Sequence, residues 1–274
     1  MFALADYSQA TQRALTSQAL ATAVPAAFAA APDAERTTKH YTFISTAQVV
    51  SALLEAGFEP TRAQQTRTRR SGSVDHAKHM IRFSHTRDSL TLVDAIPELV
   101  LINSHDGTSA YTLRAGLYRP VCTNGLLAQI GDFGLIHVPH RGNIIDNVVQ
   151  GALAITRGFA DIGNVVDQMH ATQLDERQRW DFAAHALSVR YHRLDHSAPI
   201  TADQLLLPRR KADYGNTLWH TYNVVQENVL RGGLIGRTPK GRSTRTRSIS
   251  AIREDVRLNA DLWQQAMTLL RSQS

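Results

Sequence analysis

Apolar and polar residues alternate along the first half of the chain, whereas apolar residues recur at intervals of three and four along the second, with the change near residue 142. Alternation marks a strand with one buried face, and the longer interval marks an amphipathic helix. "TKHYTFIS" (38–45) reads as a strand, and "TAQVVSALLEAG" (46–57) as a helix with Thr46 at its N-cap and Gly57 at its end. "FEPTRAQQTRTRR" reads as an exposed strand. "KHMIRFSHTR" (78–87) sets Ile81 and Phe83 against Arg82 and Ser84, and "ELVLIN" (98–103), apolar on both faces, reads as a central strand. "AYTLRAGLYRPV" sets Tyr111, Leu113, Ala115 and Leu117 against Thr112, Arg114, Gly116 and Tyr118. "GLLAQIGDFGLIHV" adds a bent hairpin.

In 144–170 one apolar stripe holds Ile145, Val148, Val149, Ala152, Ile155, Phe159, Ile162, Val166 and Met169. Gly158 and Gly163 each weaken that helix by about 1 kcal/mol, so a break is expected there. A helix over 175–192 carries Trp180, Ala183, Ala184, Leu187 and Tyr191 on one side, with a box-like Thr172 and Asp175 before it. Helices over 213–230 and 251–271 bury Leu218, Tyr222, Val225 and Val229, and Ile252, Val256, Trp263, Ala266 and Leu270. The Ala-rich stretch 19–31 reads as an N-terminal helix and loop, not a cleaved signal. The expected fold is α+β: a twisted, mostly antiparallel sheet from the N-terminal half packed on helices from the C-terminal half. Residues 1–37 form an arm, and 38–274 a single domain, strand-rich over 38–142 and helical over 143–274.

Composition narrows the function. An apolar fraction of 43% over 274 residues is enough for a sizeable core, and a formal charge of +6 points to a polyanionic partner, nucleic acid first. The one cysteine, Cys122, fits a reducing compartment, the cytosol. No apolar run approaches the roughly 20 residues of a membrane span, so no membrane partner is expected. "RGGLIGRTPKGRST" lacks the spacing of a phosphate-binding loop, and no cofactor is expected.

The stretch "NSHDGTSAYTLRAGLYRPVCTNG" (103–125) offers the most chemistry-like residues. Ser104, His105 and Asp106 are consecutive, so in extended chain they point to opposite faces and cannot form a Ser-His-Asp relay. Asp106-Gly107 is a turn signal between two strands. Cys122 reads as a small buried residue before an Asn-Gly turn. His137 and His140, like His76 and His79, have metal-ligand spacing, but Pro139 interrupts the first pair and no further thiol exists. No catalytic or metal-ligating set is assigned.

Basic residues carry the remaining signal. One cluster is Arg62, Arg67, Arg69 and Arg70, with Lys78 and Arg82 on the next strand brought beside them. The other, Arg231, Arg237, Lys240, Arg242, Arg245 and Arg247, lies in "RGGLIGRTPKGRSTRTR", a segment without Asp or Glu that reads as a flexible loop or irregular hairpin. Arg114, Arg119 and Arg141 extend the track, and Tyr118 and Phe133 are candidate stacking residues. Such rows suit a phosphate backbone.

"HYTFISTAQVVSALLEAGFEPTRAQQTRTR", "AKHMIRFSH", "LVLINSHDGTSAYTLRAGLYRPVCTNGL" and "NTLWHTYNVVQENVLRGG" resemble the phage/plasmid-like family known as domain of unknown function 932, from about residue 38 to the last helix. The resemblance implies a mobile-element context, in which DNA handling and countering host defence are common tasks, and it supplies no catalytic residues. A sheet backed by helices with a basic hairpin is also the general plan of Rad52-like single-strand annealing proteins, an architectural analogy only. The expectation is a non-enzymatic single-stranded DNA-binding protein, with strand annealing or protection in recombination as its role. Duplex DNA is the second candidate ligand, and self-association into a ring or filament is expected. The rivals are a metal-dependent nuclease or other hydrolase using His105, Asp106 or His137, and an anti-defence protein that binds a host factor.

Overall fold

In the computed structural model, residues 14–66, 74–85, 95–119, 125–127, 135–192 and 198–273 are described, with 125–127 by backbone alone. Backbone contacts divide the chain into two compact units, 1–121 with 128–160, and 122–127 with 161–274, where the sequence reads as one domain after an arm.

The first unit is built on five antiparallel strands in the order β1 (Phe58–Gln65), β2 (His79–His85), β3 (Ile96–Asn103), β4 (Tyr111–Tyr118) and β6 (Leu135–Val138). A short β5 (Gly125–Leu127) precedes β6 in the chain and belongs to the second unit. The register aligns Ala63, Ile81, Leu101, Leu113 and Ile136 across one face. Two helices cover that face: α2 (Thr46–Glu55), through Val49, Val50 and Leu53, and α3 (Ile144–Arg157), through Val148, Ala152 and Ile155. Gly151 permits the close approach of α3, since a Cβ there would lie 2.8 Å from the Leu113 side chain. Helix α1 (Ser17–Ala23) and the 3₁₀ turn Pro25–Phe28 join this unit through Leu15 N–H to the Pro60 carbonyl and Ala26 N–H to the Gln65 side chain.

Three expectations change here. Residues 38–45 form no strand; Thr42 N–H bonds the His140 carbonyl, and the neighbouring aromatic rings face buried histidines instead of a sheet partner. Helix α2 is capped by Ser45, not Thr46, because Gln48 completes a reciprocal box with Ser45. Strand β1 is not wholly exposed: Phe58, Pro60, Thr61 and Ala63 are buried.

The second unit is helical. Helix α4 (Phe159–Ala171) follows α3 after a break at Gly158, and Gly163 is accommodated inside it. Helix α7 (Leu218–Arg231) is buried on all sides, among α5 (Glu176–Arg190), the single turn α6 (Ala202–Leu205) and α8 (Ile252–Arg271). Trp219, Tyr222, Trp263 and Phe182 interlock at its centre, with ring centroids 5.7–6.2 Å apart. Two of its buried side-chain amides are paired, Gln226 Nε2 with Asn259 Oδ1 at 2.9 Å and Asn228 Nδ2 with the Leu205 carbonyl at 2.8 Å. Helix α5 turns Phe182, Ala183 and Ala186 inward and leaves Trp180 exposed, unlike the expected stripe; Asp175, boxed with Gln178, starts it. No described helix is long and apolar enough to cross a membrane.

Candidate nucleic-acid interface

The basic segment after α7 is an ordered hairpin, β7 (Ile235–Arg237) paired with β8 (Ser243–Arg245). Two glycines make the exit from α7. Gly232 adopts φ +63° against the Thr246 and Arg247 backbone, and Gly233, at φ +82°, donates to the Thr246 carbonyl. At the tip, Thr238 N–H bonds the Arg242 carbonyl and Gly241 N–H bonds the Thr238 carbonyl. Alternation then sorts the side chains: Leu234, Gly236, Thr244 and Thr246 are half-buried, and Ile235, Arg237, Arg245 and Arg247 are exposed, with Lys240 and Arg242 exposed at the tip.

The hairpin is tied down along its inner side. Arg237 N–H bonds the Pro199 carbonyl at 2.8 Å, Gln204 Nε2 bonds the Ile235 carbonyl at 2.7 Å, and Arg190 donates to the Arg247 carbonyl. A Cβ on Gly236 would stand 2.1 Å from the Pro199 oxygen, a distance no packed pair of atoms tolerates. Gly236→Ala is therefore expected to release the hairpin from Pro199 while the aromatic core around α7 stays folded. Hydrogen exchange checks this: protection should fall at Arg237 and Thr246 amides, not along α7.

Arg237, Lys240, Arg242, Arg245 and Arg247 form no ion pair with a described carboxylate. Arg231 differs: it bonds the buried Glu227 at 2.9 Å, and Glu227 also holds Arg210, so this arginine belongs to the foundation of the hairpin. In the first unit the expected cluster resolves otherwise. The register pairs Arg62 with Arg82, and Val100 links Arg82 to Arg114 in the same row. Arg82 is 3% exposed and bonds Glu98 at 3.2 Å, so it has no surface to offer a phosphate. Arg119 and Tyr118 are buried as well, which removes a cation and a stacking ring from the expected track. Arg62, Lys78 and Arg114 are half-buried, the last with its guanidinium pKa lowered by desolvation, and Arg141 is exposed. Arg67, Arg69, Arg70, Cys122 and Phe133 lie outside the described residues.

The Ser104–Asp106 stretch is a turn. Asp106 Oδ1 accepts from the Ser104 and Thr108 hydroxyls, each at 2.6 Å, and from Thr108 N–H, and Gly107 takes φ +73°. Burial would raise the Asp106 pKa, but these bonds and Arg36 at 3.5 Å hold it low. His105 points away from both neighbours into a fully buried polar layer that sequence reasoning missed. Thr46 Oγ1 lies 2.8 Å from His79 Nε2, 3.2 Å from His105 Nε2 and 3.1 Å from Asn103 Nδ2. His79 Nδ1 lies 2.9 Å from the Ala77 carbonyl, which can only accept, so Nδ1 carries the proton of the neutral ring. Thr46 then donates to His79 and accepts from Asn103 and from His105 Nε2–H. Asn103 Oδ1 in turn accepts from His140 Nε2 at 3.0 Å, and Tyr111 donates to the Ile44 carbonyl at 2.8 Å. Desolvation lowers the pKa of His79 to about 4. Desolvation, then the neighbouring His79, His140 and His76, lowers His105 to about 3. His137 is exposed and bonds Thr112, so its spacing from the buried His140 does not bring the two rings into one site.

Residues 35–263 match the family model described as "Domain of unknown function (DUF932)". This chain belongs to the DUF932 family. Two curated relatives of the DUF932 chain, UPF0380 protein YafZ and UPF0380 protein YfjQ of Escherichia coli (strain K12), are each 39% identical to it over 258 residues, covering 94% of this chain and 92% of the relative. No solved structure matches it.

Proposed function

We propose that this DUF932 chain binds single-stranded DNA along the β7–β8 hairpin. The observation that carries the reading is the set of exposed cations Arg237, Lys240, Arg242, Arg245 and Arg247 on one anchored hairpin without an acidic residue between Arg231 and Arg247. A phosphate backbone neutralises such a row by counterion release. Ile235, 57% exposed and directly across from Arg245, supplies an apolar surface among the cations, which suits an unstacked base better than a duplex groove. The row lies on a short hairpin, not on a helix shaped for the major groove, which favours backbone tracking over base reading. Strand protection or annealing, with self-association into a ring or filament, is the role this binding would serve.

The test is anisotropy of a labelled oligonucleotide titrated at several salt concentrations. With five contacts the slope of log K against log salt should be about −3.5, and Arg242→Gln/Arg245→Gln/Arg247→Gln should bring it to about −1.4. A duplex of the same sequence should bind more weakly. Absence of binding at low salt, or a slope indifferent to the triple substitution, would overturn the proposal. Sedimentation with and without the oligonucleotide reads the assembly state.

A further inference from the structure

The second unit contains a cavity of about 390 Å³ that plays no part in the hairpin's contacts. Its walls are the first turn of α7, the Asp213–Asn216 loop, Arg179 of α5, and the apolar Leu206, Pro208 and Val224. The volume falls within the range of small-ligand sites.

Three features specify the occupant. Thr221 is 1% exposed and lines the cavity, yet its hydroxyl has no hydrogen-bond partner among the described residues. A buried hydroxyl left in that state is costly, and a ligand acceptor at this point would satisfy it. Arg179 also lines the cavity, and its buried Nε likewise lacks a partner among the described residues. Among the described residues the only carboxylate in the wall is Asp213, which is ion-paired with Arg210 at 3.5 Å, and this leaves Arg179 as the uncommitted charge among them. The positive end of α7 adds to its field. Leu218 and His220 N–H are already bonded, to the Thr172 carbonyl and the Thr217 hydroxyl, so the helix contributes potential and not these donors. Tyr214, 69% exposed, lines the same cavity and presents a ring to the solvent. The wall is shaped by Gly215, where a Cβ would meet the His220 ring at 2.6 Å; Thr217 Oγ1 fixes that ring from 2.7 Å at Nδ1.

We propose that this cavity is a binding site for one nucleotide unit, an aromatic base carrying a phosphate monoester, with the phosphate on Arg179 and Thr221 and the base on Tyr214. The site is independent of the hairpin, and its readout, a mononucleotide titration, is separate from the strand-binding measurement, so either reading can fail alone.

The experiment is calorimetric titration of the full chain with deoxyadenosine monophosphate, deoxyadenosine and inorganic phosphate. The mononucleotide should saturate one site per chain, and the nucleoside and phosphate should each bind at least about tenfold more weakly. Arg179→Gln and Tyr214→Ala should each weaken the mononucleotide by about tenfold. Thr221→Val provides a readout that a merely structural role would not give: the free protein should melt no lower than the parent, since an unsatisfied hydroxyl is removed, while nucleotide affinity falls. Displacement by a 5′-phosphorylated trinucleotide but not by its 5′-hydroxyl form assigns the site to strand ends, and displacement by neither assigns it to free nucleotides. No saturable binding in the millimolar range, or binding unaltered by both Arg179→Gln and Thr221→Val, would overturn the proposal.

Discussion

Between pH 6.5 and pH 4 the first unit should lose about 6 kcal/mol of stability, with the two innermost histidines as the source. Both rings are buried and neutral in the folded state, with pKa values of about 4 for His79 and about 3 for His105. In the unfolded chain each titrates near its ordinary value of about 6.5. A depressed histidine leaves stability untouched above the unfolded pKa. Below it the unfolded chain takes up a proton that the folded chain refuses, and the difference grows until the folded pKa is reached. A span of roughly 2.5 pH units per ring is worth about 3 kcal/mol. The total is comparable with the whole stability of an ordinary domain, so acid unfolding should set in above pH 4.

Urea denaturation at half-unit pH steps measures this directly. The slope of unfolding free energy against pH near pH 5 should correspond to close to two protons. His105→Gln should lower it by about one, whatever its effect on stability at pH 7. A slope that stays at two in this variant would mean that the protons are taken up elsewhere, with His140, whose pKa desolvation also lowers, the nearest alternative. Thr46→Val tests the wiring. It removes the one hydroxyl that serves His79, His105 and Asn103 together, so at pH 8 it should destabilise by more than about 2 kcal/mol, the cost of stranding several buried polar groups at once.

Much of this layer was legible in the sequence, in a form that invites misreading. The alternation that correctly places Ile81 and Leu113 on the inner face also places His79 and Tyr111 there, two residues away, and the register sets Asn103 at the same end of the strand between them. Polar residues at inner positions in register are the signature of a buried network. The signal was masked because Ser104-His105-Asp106 draws attention as a catalytic string. The break at Gly158 and the hairpin after Arg231 were legible because glycine and proline act locally. The role of residues 38–45 was not, because aromatic and β-branched residues suit a strand as well as a lid over histidine rings, and only the position of His140, about 100 residues away, decides between them. Arg82 misleads for a related reason: alternation assigns it to the face opposite Ile81 and Phe83, and a polar residue there implies solvent. Strand β2 is flanked on both sides, however, and that face is closed as well.

Glu98→Gln should therefore be among the most damaging single substitutions outside the histidine layer. Glu98 accepts from Arg82 Nη1 at 3.2 Å and from the Thr61 hydroxyl at 2.8 Å, and both members of the pair are 3% exposed. Glutamine preserves the volume but leaves a guanidinium buried without a counter-charge, and breaking one side of such a pair costs about 3–5 kcal/mol. The reverse substitution, Arg82→Met, is not equivalent. A stranded carboxylate can neutralise itself by taking up a proton, whereas a guanidinium cannot lose one. Arg82→Met should therefore destabilise less than Glu98→Gln at pH 8. Denaturation of the parent and the two variants at pH 8 decides it. The double substitution Arg82→Met/Glu98→Gln should recover part of the loss, because what each single variant suffers is the unpaired partner more than the absent ion pair. If both single variants are instead near neutral at pH 8, this face of the sheet admits water, and Arg82 returns to the cations that could meet a phosphate.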